Sequence, residues 1–522
     1  MNDTALYTSQ QIYQIEQDWF KAGNPSFGLM QQASWQMATW INENLTDKKA
    51  CVWTGSGNNG GDGWLLAYYL CQFGWQATVV EVAEATTKDS KHAKKIAIEH
   101  GIKTIKWHKE VIKEYAVFSA NVHIDALFGI GLDREPTDDY ATAITQVNQL
   151  TDYFNPKKIT IAVDIPSGLV ASTGQVFNDV AICADITLCL LANKIGLFMK
   201  DGKDHAGRVV TLPLIPLPSS KQIKPKATRL THAYSILPRQ SNSHKGSFGH
   251  VLIVGGNKTK LANGMGGASI LATTGAFAVG AGKVSVACHA DYHSAVLTNK
   301  PNAMVVDLHN PQAMGYLFAQ TDVVAIGMGL GREKSAQSLF AQSVERAMQA
   351  NCKLVIDADG LYHLASLMLE NNSLIEKIKQ YAVNQFVAFT PHTGEMARLL
   401  RISSKQIEES RLAAVNQAVE IFGGNWLLKG AGSVVYEDEQ MYVCDVGNAG
   451  MSTAGMGDIL AGMLAGLQAQ YNLTSVQKSL RQAVLIHGQA GDVLAQKVGE
   501  CGMQTDDMEM AIVRVMAGLL VI

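Results

Sequence analysis

Along the first part of the chain, short apolar runs of about one strand's length alternate with amphipathic or polar segments. The runs are ACVWTG (50–55), ATVVEV (77–82), NVHIDALFG (121–129), KITIAVDIPSG (158–168) and ADITLCLLA (184–192), several of them rich in β-branched residues. Apolar strands spaced by helical stretches predict βαβ units around a buried parallel sheet. The pattern is interrupted by LPLIPLPSSKQIKPKATRL, residues 212–230, which holds four prolines and several lysines. Proline blocks helix and central-strand pairing, so this stretch is predicted to be a linker. The alternation then resumes with HVLIVGG (250–256), GKVSVAC (282–288), DVVAIGMGLG (322–331), CKLVIDADG (352–360), FVAFTPH (386–392) and NWLLKGAGSVVY (425–436). The expectation is an α/β protein of two domains, residues 1–222 and 223–522.

Composition narrows the function classes. At 522 residues the chain exceeds one ordinary core, and 47% hydrophobic against 17% charged residues is ample for two. A formal net charge of −3 gives no electrostatic case for nucleic acid or an anionic membrane. The eight cysteines include no C-x-x-C pair and no ligand-like spacing to histidine. That argues against a zinc site or disulfide framework and suits a reducing compartment. The polar start MNDTALYTSQQIYQIEQDW does not read as a signal peptide, and no uncharged apolar run has the length of a membrane span. The expected location is cytoplasmic, with no nucleic-acid or membrane partner.

The stretch Gly55-Ser56-Gly57-Asn58-Asn59-Gly60 is a formal G-x-G-x-x-G after the first apolar run, and the second run ends near Glu81, where a Rossmann ribose-binding acid sits. Glycine-rich strand-to-helix turns are common, so a tight turn with nothing bound is one reading. Asn58-Asn59-Gly60-Gly61-Asp62 is more specific. Its glycines let N–H groups converge on an anion, its amides suit a hard cation, and Asp62 fits poorly beside a pyrophosphate. Asp125 in IDALFGIGLDRE and Asp164 with Ser167 in VDIPSGL stand at two further strand ends, where ligands of doubly wound sheets bind. Taken singly, Asp125 reads as a helix cap and Ser167 as a turn residue.

GSGNNGGDG, IDALFGIGL and VDIPSGL, in this order, resemble the NAD(P)H-hydrate epimerase family over roughly residues 5–215. The resemblance implies a Rossmann-like three-layer fold, a bound potassium ion, and interconversion of the R and S forms of hydrated NAD(P)H, called NAD(P)HX. It implies that Asn58, Asn59, Gly60, Gly61 and Asp62 line the substrate site, together with Gly129, Ile130, Gly131, Leu132, Asp133, Arg134 and Glu135. Asn59, Asp125 and Ser167 would be the potassium ligands, and Asp164 the acid/base at the hydrated ring. Ser34 departs from the family's glycine and is expected to lie away from these motifs.

In the second half, GAGKV (280–284) lacks the spacing of a Walker motif and the Ser/Thr after Lys283. TAGMGDILAGMLAGL instead places Gly455, Gly457 and Asp458 at the start of a small-residue helix. There N–H groups can hold a phosphoryl anion, and Asp458 can take a proton from a hydroxyl or simply cap the helix. Lys429 to Ser433 reads as a strand–turn–strand that wraps a nucleotide or is a plain hairpin. GGASILA, GMGLG, DADGL, TPHTGE, KGAGS and AGMGD together resemble the ADP-dependent (S)-NAD(P)HX dehydratase family, over roughly residues 230–520. The resemblance implies a ribokinase-like α/β domain that phosphorylates the hydrate with ADP and magnesium and expels phosphate. Asp458 would be the base. Lys429, Gly430, Ala431, Gly432, Ser433 and Gly457 would hold the nucleotide, and Ala268, Gly329, His392 and Asp458 would face NAD(P)HX. Met328 and Thr393 stand where the family favours proline. The family tends toward homo-oligomers. Two competing readings are a ribokinase-like small-molecule kinase with an accessory dinucleotide-binding domain, and an N-terminal binding module without activity.

Overall fold

The structure is a computed structural model and describes residues 4–151, 158–217, 223–258 and 264–520. The chain divides into two compact units, Met1–Arg229 and Leu230–Ile522.

In the N-terminal unit seven strands form an all-parallel sheet: β1 (Lys49–Thr54), β2 (Gln76–Glu81), β3 (Lys103–Lys106), β4 (Val122–Ala126), β5 (Ile159–Val163), β6 (Ile186–Leu190) and β7 (Arg208–Leu212). Their spatial order is β3-β2-β1-β4-β5-β6-β7. The order reverses between β1 and β4, leaving a crevice beyond their carboxyl ends. Ala50 and Val52 enter one core and Cys51 and Trp53 another, so both faces of the sheet are buried. A strand covered on both faces has no polar side, which accounts for the continuous apolar runs. Helices α1 (Ser9–Lys21), α2 (Ser26–Asn44) and α3 (Asn58–Gln72) cover the first face, and the helix Asp138–Leu150 packs on the second. The edge strands KTIK and RVVTL fall outside the predicted runs because they are short, begin with a charged residue and are mostly only partly buried.

The expected linker is in part a strand. Ala227–Leu230 pairs antiparallel with Ala5–Tyr7, Ala5 opposite Thr228 and Leu6 opposite Ala227. It follows the last of the four prolines, Pro225, so no ring interrupts this ladder. The expected boundary at residue 222 falls in 218–222, outside the described residues.

The C-terminal unit is built on β8 (His250–Val254), β9 (Lys283–Cys288), β10 (Met304–Asp307), β11 (Val323–Ile326), β12 (Lys353–Ile356), β13 (Val387–Phe389), β14 (Asn425–Leu428), β15 (Ser433–Glu437) and β16 (Gln440–Cys444). The order is β10-β9-β8-β11-β12-β13-β14-β15-β16, parallel as far as β14 and antiparallel beyond it. Three helices frame its site: α4 (Gly266–Ala278), α5 (Thr393–Leu400) and α6 (Met456–Ala469). α4 and α6 touch backbone to backbone. A Cβ on Gly462 would lie 1.8 Å from the Ala272 carbonyl oxygen, and one on Gly466 2.7 Å from that of Ala276. These matched pairs make the two helices run the same way, so their first turns, carrying Ala268 and Asp458, lie at one end.

Candidate active sites

At the N-terminal switch point, β1 ends at Thr54, just before Gly55, and α3 begins at Asn58 behind its N-cap residue Gly57. Asn58 to Asp62 are therefore helix, not loop. A side chain on Gly55 would strike the Leu127 carbonyl oxygen at 2.0 Å, so glycine here lets the loop after β1 lie against the loop after β4. Asp125, at the end of β4, is fully buried. Its Oδ1 accepts from Ser167 Oγ (2.6 Å) and Leu127 N (3.1 Å), and its Oδ2 from Ser167 N (2.7 Å). Ser167 Oγ in turn accepts from Phe128 N (2.8 Å), while Asn59 Nδ2 donates to the Phe128 carbonyl (2.9 Å). The structure thus brings Asn59, Asp125 and Ser167 together around Phe128. Burial pushes the Asp125 carboxyl up to about 6, against the hydrogen bonds from Ser167 and Leu127. One buried carboxylate among amide, hydroxyl and carbonyl oxygens fits a monovalent hard cation.

Beside this cluster opens a cavity of about 530 Å³, lined by Asn58, Asn59, Asp62, Gly129 to Arg134 and Asp164. Gly60, Gly61 and Glu135 are not in its lining. A Cβ on Gly60 would meet the Gly55 carbonyl oxygen at 2.0 Å, and one on Gly61 would meet the Met30 side chain. Glu135 accepts from Asn178 Nδ2 (2.7 Å). Glu81 is ion-paired with Lys94 and also lies outside the lining. Ser34, expected away from the motifs, instead lies against the first of them, since the packing of α2 on α3 lets its Oγ donate to the Asp62 carbonyl (3.0 Å).

Asp164 follows β5 in a left-handed conformation (φ +68°), a strain of about 1–3 kcal/mol that functional sites often retain. Its Oδ1 accepts from Leu190 N (2.9 Å) and from Lys194 Nζ. Lys194 is fully buried and also lines the cavity, as does Glu16 of α1. Burial lowers the Lys194 ammonium, but Asp164, Cys189 and Glu16 outweigh it and leave the group above its ordinary value. Burial and then Asp164, opposed by Lys194, push Glu16 up to about 7. Burial, Asp164 and Glu16 hold Asp62 well above the carboxylate range.

In the C-terminal unit Asp458 occupies the first turn of α6, behind Gly455 at φ +91°. Burial and then Asp357 push it up to about 7, with Lys429 opposing. Lys429 Nζ donates to Asp357 Oδ1 (2.8 Å), and a Cβ on Gly457 would stand 3.1 Å from that nitrogen, so the lysine lies against the start of α6. Asp357 and Asp359 flank Ala358, itself strained at φ +50°. Asp359 is held by Arg332 Nε (2.8 Å) and Gly331 N (2.9 Å). Gly430, Ala431 and Gly432 turn between β14 and β15, with Gly430 N donating to Ser433 Oγ (3.3 Å). Lys429 N donates to the Pro391 carbonyl (2.9 Å), which joins this hairpin to the loop of His392. His392 Nδ1 accepts from Gly394 N (2.9 Å) and caps α5, while Glu395 Oε2 accepts from His392 N (2.9 Å). Burial, then Lys429, lowers His392 below its ordinary value, and burial, then Asp357, raises Glu395 to about 7. Ala268 N donates to the Met265 carbonyl (3.2 Å), the same oxygen a Cβ on Gly329 (φ +67°) would approach to 2.4 Å. Ala268 and Gly329 are therefore neighbours.

The two proline departures are absorbed locally. Thr393 opens α5 behind the His392 cap, and Met328 is buried with its carbonyl accepting from Gly256 N (2.9 Å). Three residues escape the sequence pattern: Glu16, Lys194 and Arg411. Arg411 is buried and donates to the carbonyls of Leu428 and Lys429 (3.1 Å each), pinning the hairpin. Lys194 did leave a signal, a lone lysine in LLANKIGLF, because lysine is rarely buried unless paired. Glu16 and Arg411 sit in ordinary amphipathic helices and left none.

Residues 251–514 match the family described as NAD(P)H-hydrate dehydratase, and residues 26–196 the YjeF-related protein N-terminus. The bifunctional NAD(P)H-hydrate repair enzyme of Coxiella burnetii is 32% identical over 97% of this chain and 98% of that protein. That of Vibrio cholerae is 33% identical over 97% of each chain, and that of Escherichia coli 32% identical over 95% of this chain and 88% of that protein.

Proposed function

Because the chain belongs to the family of bifunctional NAD(P)H-hydrate repair enzymes, we propose that its two units perform the two steps of that repair on hydrated NADH or NADPH. The N-terminal cavity interconverts the R and S epimers of NAD(P)HX. The C-terminal unit dehydrates the S epimer at the expense of ADP. The observation that carries the reading is Asp458, a carboxyl poised near neutrality on the first turn of α6 beside the Lys429 ammonium. Such a turn offers free N–H groups to a phosphoryl anion, and such a carboxyl can accept a proton at neutral pH.

In the dehydratase step Asp458 takes the proton of the hydrate's hydroxyl, whose oxygen attacks the terminal phosphorus of ADP and releases AMP. Hydroxide is a poor leaving group and phosphate a good one. The C–O bond then breaks with its pair on phosphate, the ring nitrogen supplies electrons, and loss of a neighbouring C–H proton restores the dihydronicotinamide. Gly430 to Ser433 and Gly457 line the nucleotide, while Ala268, Gly329 and His392 face the hydrate. Asp357 and Glu395 would offer oxygens to magnesium, whose charge would offset that of the phosphates. In the N-terminal unit Asp164 acts at the hydrated carbon. Asn59, Asp125 and Ser167 would hold potassium, whose charge would balance the buried Asp125.

A mixture of R- and S-NADHX, incubated with the chain, potassium, magnesium and ADP, tests both halves through the near-ultraviolet absorbance of regenerated NADH. Complete recovery with release of AMP and phosphate is expected. A stable phosphorylated product with no NADH would instead make the C-terminal unit a kinase.

A further inference from the structure

The N-terminal cavity gathers more carboxyl groups than its buried lysine can balance. Lys194 is committed to Asp164 and to the Leu190 carbonyl (2.6 Å). Glu16 lines the same space from α1, whereas Asp164 follows β5, and it has no hydrogen-bond or ion-pair partner among the described residues. An acid that lines a cavity without a bonded partner is costly to keep as structure, because burial penalises its charge and only the through-space pull of Lys194, itself paired with Asp164, offsets it.

We propose that Glu16 is a second catalytic group of the epimerase, the proton carrier that works with Asp164 at the carbon bearing the hydroxyl. This rests on the epimerase reading of the cavity. Inverting that carbon requires a hydroxyl to leave one face and be replaced on the other. In one direction the C–O bond breaks with its electron pair on oxygen, Glu16 supplies the proton that turns the departing group into water, and the ring nitrogen lone pair forms C=N. A second water adds to the opposite face through its own lone pair, passes a proton to the Asp164 carboxylate, and returns the C=N pair to nitrogen. One water leaves, one enters, and one proton passes from Glu16 to Asp164. The reverse reaction retraces these steps, and exchange with solvent resets the pair. The charged groups that line the cavity with Glu16 are Asp62 of α3, Asp164 and Lys194 of the sheet side, and Asp89, Asp133 and Arg134 on loops and a neighbouring helix. Burial first, then Asp164 opposed by Lys194, leaves Glu16 near 7, where both of its forms are populated at neutral pH.

The test follows R- and S-NADHX by chromatography without ADP, which leaves the dehydratase idle. Glu16→Gln is expected to lower kcat by about 10²- to 10⁴-fold with KM little changed, and to remove a limb of the pH profile near neutrality. Glu16→Asp is expected to recover part of the rate. With wild-type protein in ¹⁸O-water, each inverted product should carry solvent oxygen. Dehydration of S-NADHX by Glu16→Gln at the wild-type rate, with an unchanged melting temperature, shows that the variant is folded. A wild-type kcat in Glu16→Gln, a loss confined to KM, transfer of the pH limb to an Asp62→Asn variant, or inverted product retaining its original oxygen would each overturn the proposal. A wild-type chain that does not epimerise at all would overturn the reading beneath it instead.

Discussion

Asp458 stands where two fields conflict. The first turn of α6 favours negative charge, yet burial, Asp357, Asp359 and Glu395 disfavour it and leave the carboxyl at about 7. As a base it must be ionised, so kcat/KM for dehydration should fall about tenfold per unit of pH below that value. Asp458→Asn should abolish turnover at every pH while ADP still binds by calorimetry. The same raised group costs stability. Its folded value lies above that of the unfolded chain, so stability is lost as pH rises from about 4 to about 7. Asp458→Asn should therefore melt higher than wild type near neutrality and equal to it in acid. Lys194 is the opposite case, a buried cation whose partner cannot stay buried without it. Lys194→Met should destabilise the N-terminal unit by about 3–5 kcal/mol in denaturant titration. Retention of full stability would mean that Asp164 finds another counter-charge.

At the scale of elements, the α4–α6 contact is a tight constraint. With the Gly462 position 1.8 Å from a backbone oxygen, even a methyl group forces the helices apart. Gly462→Val is expected to cost about 1–3 kcal/mol and lower the melting temperature by several degrees. Displacing α6 also moves Asp458, so activity should fall further than stability. The strands nearest the sheet centres were legible because burial on both faces removes polar residues from them. β3, β7 and β10 were not, because an edge strand of four or five residues tolerates Lys, Arg and Asp. The presumed linker concealed a strand for a related reason. Ala227–Leu230 has no hydrophobic signature of its own and is defined by its pairing with Ala5 and Leu6.

At the scale of the whole molecule, the two activities should separate by mutation. Asp164→Asn should leave dehydration of S-NADHX intact and confine repair of the R form to spontaneous epimerisation. Asp458→Asn should still equilibrate the epimers and regenerate no NADH. If Asp164→Asn repaired both forms at the wild-type rate, Asp164 would have no part in inversion. The sequence by itself determined the α/β class, the twofold repetition of strand–loop–helix units, and most acids and glycines at strand ends. Those features are local, since strand-to-helix turns need glycine and parallel strands need continuous apolar runs. The tertiary structure decided which of these residues share a space. It joined Asp125 through Ser167 to the Phe128 segment that Asn59 also holds, left Gly60, Gly61 and Glu135 out of the cavity, and added Glu16, Lys194 and Arg411 from segments with no motif. Charge balance in a buried site depends on groups far apart in the chain, and no local pattern records which of them will meet.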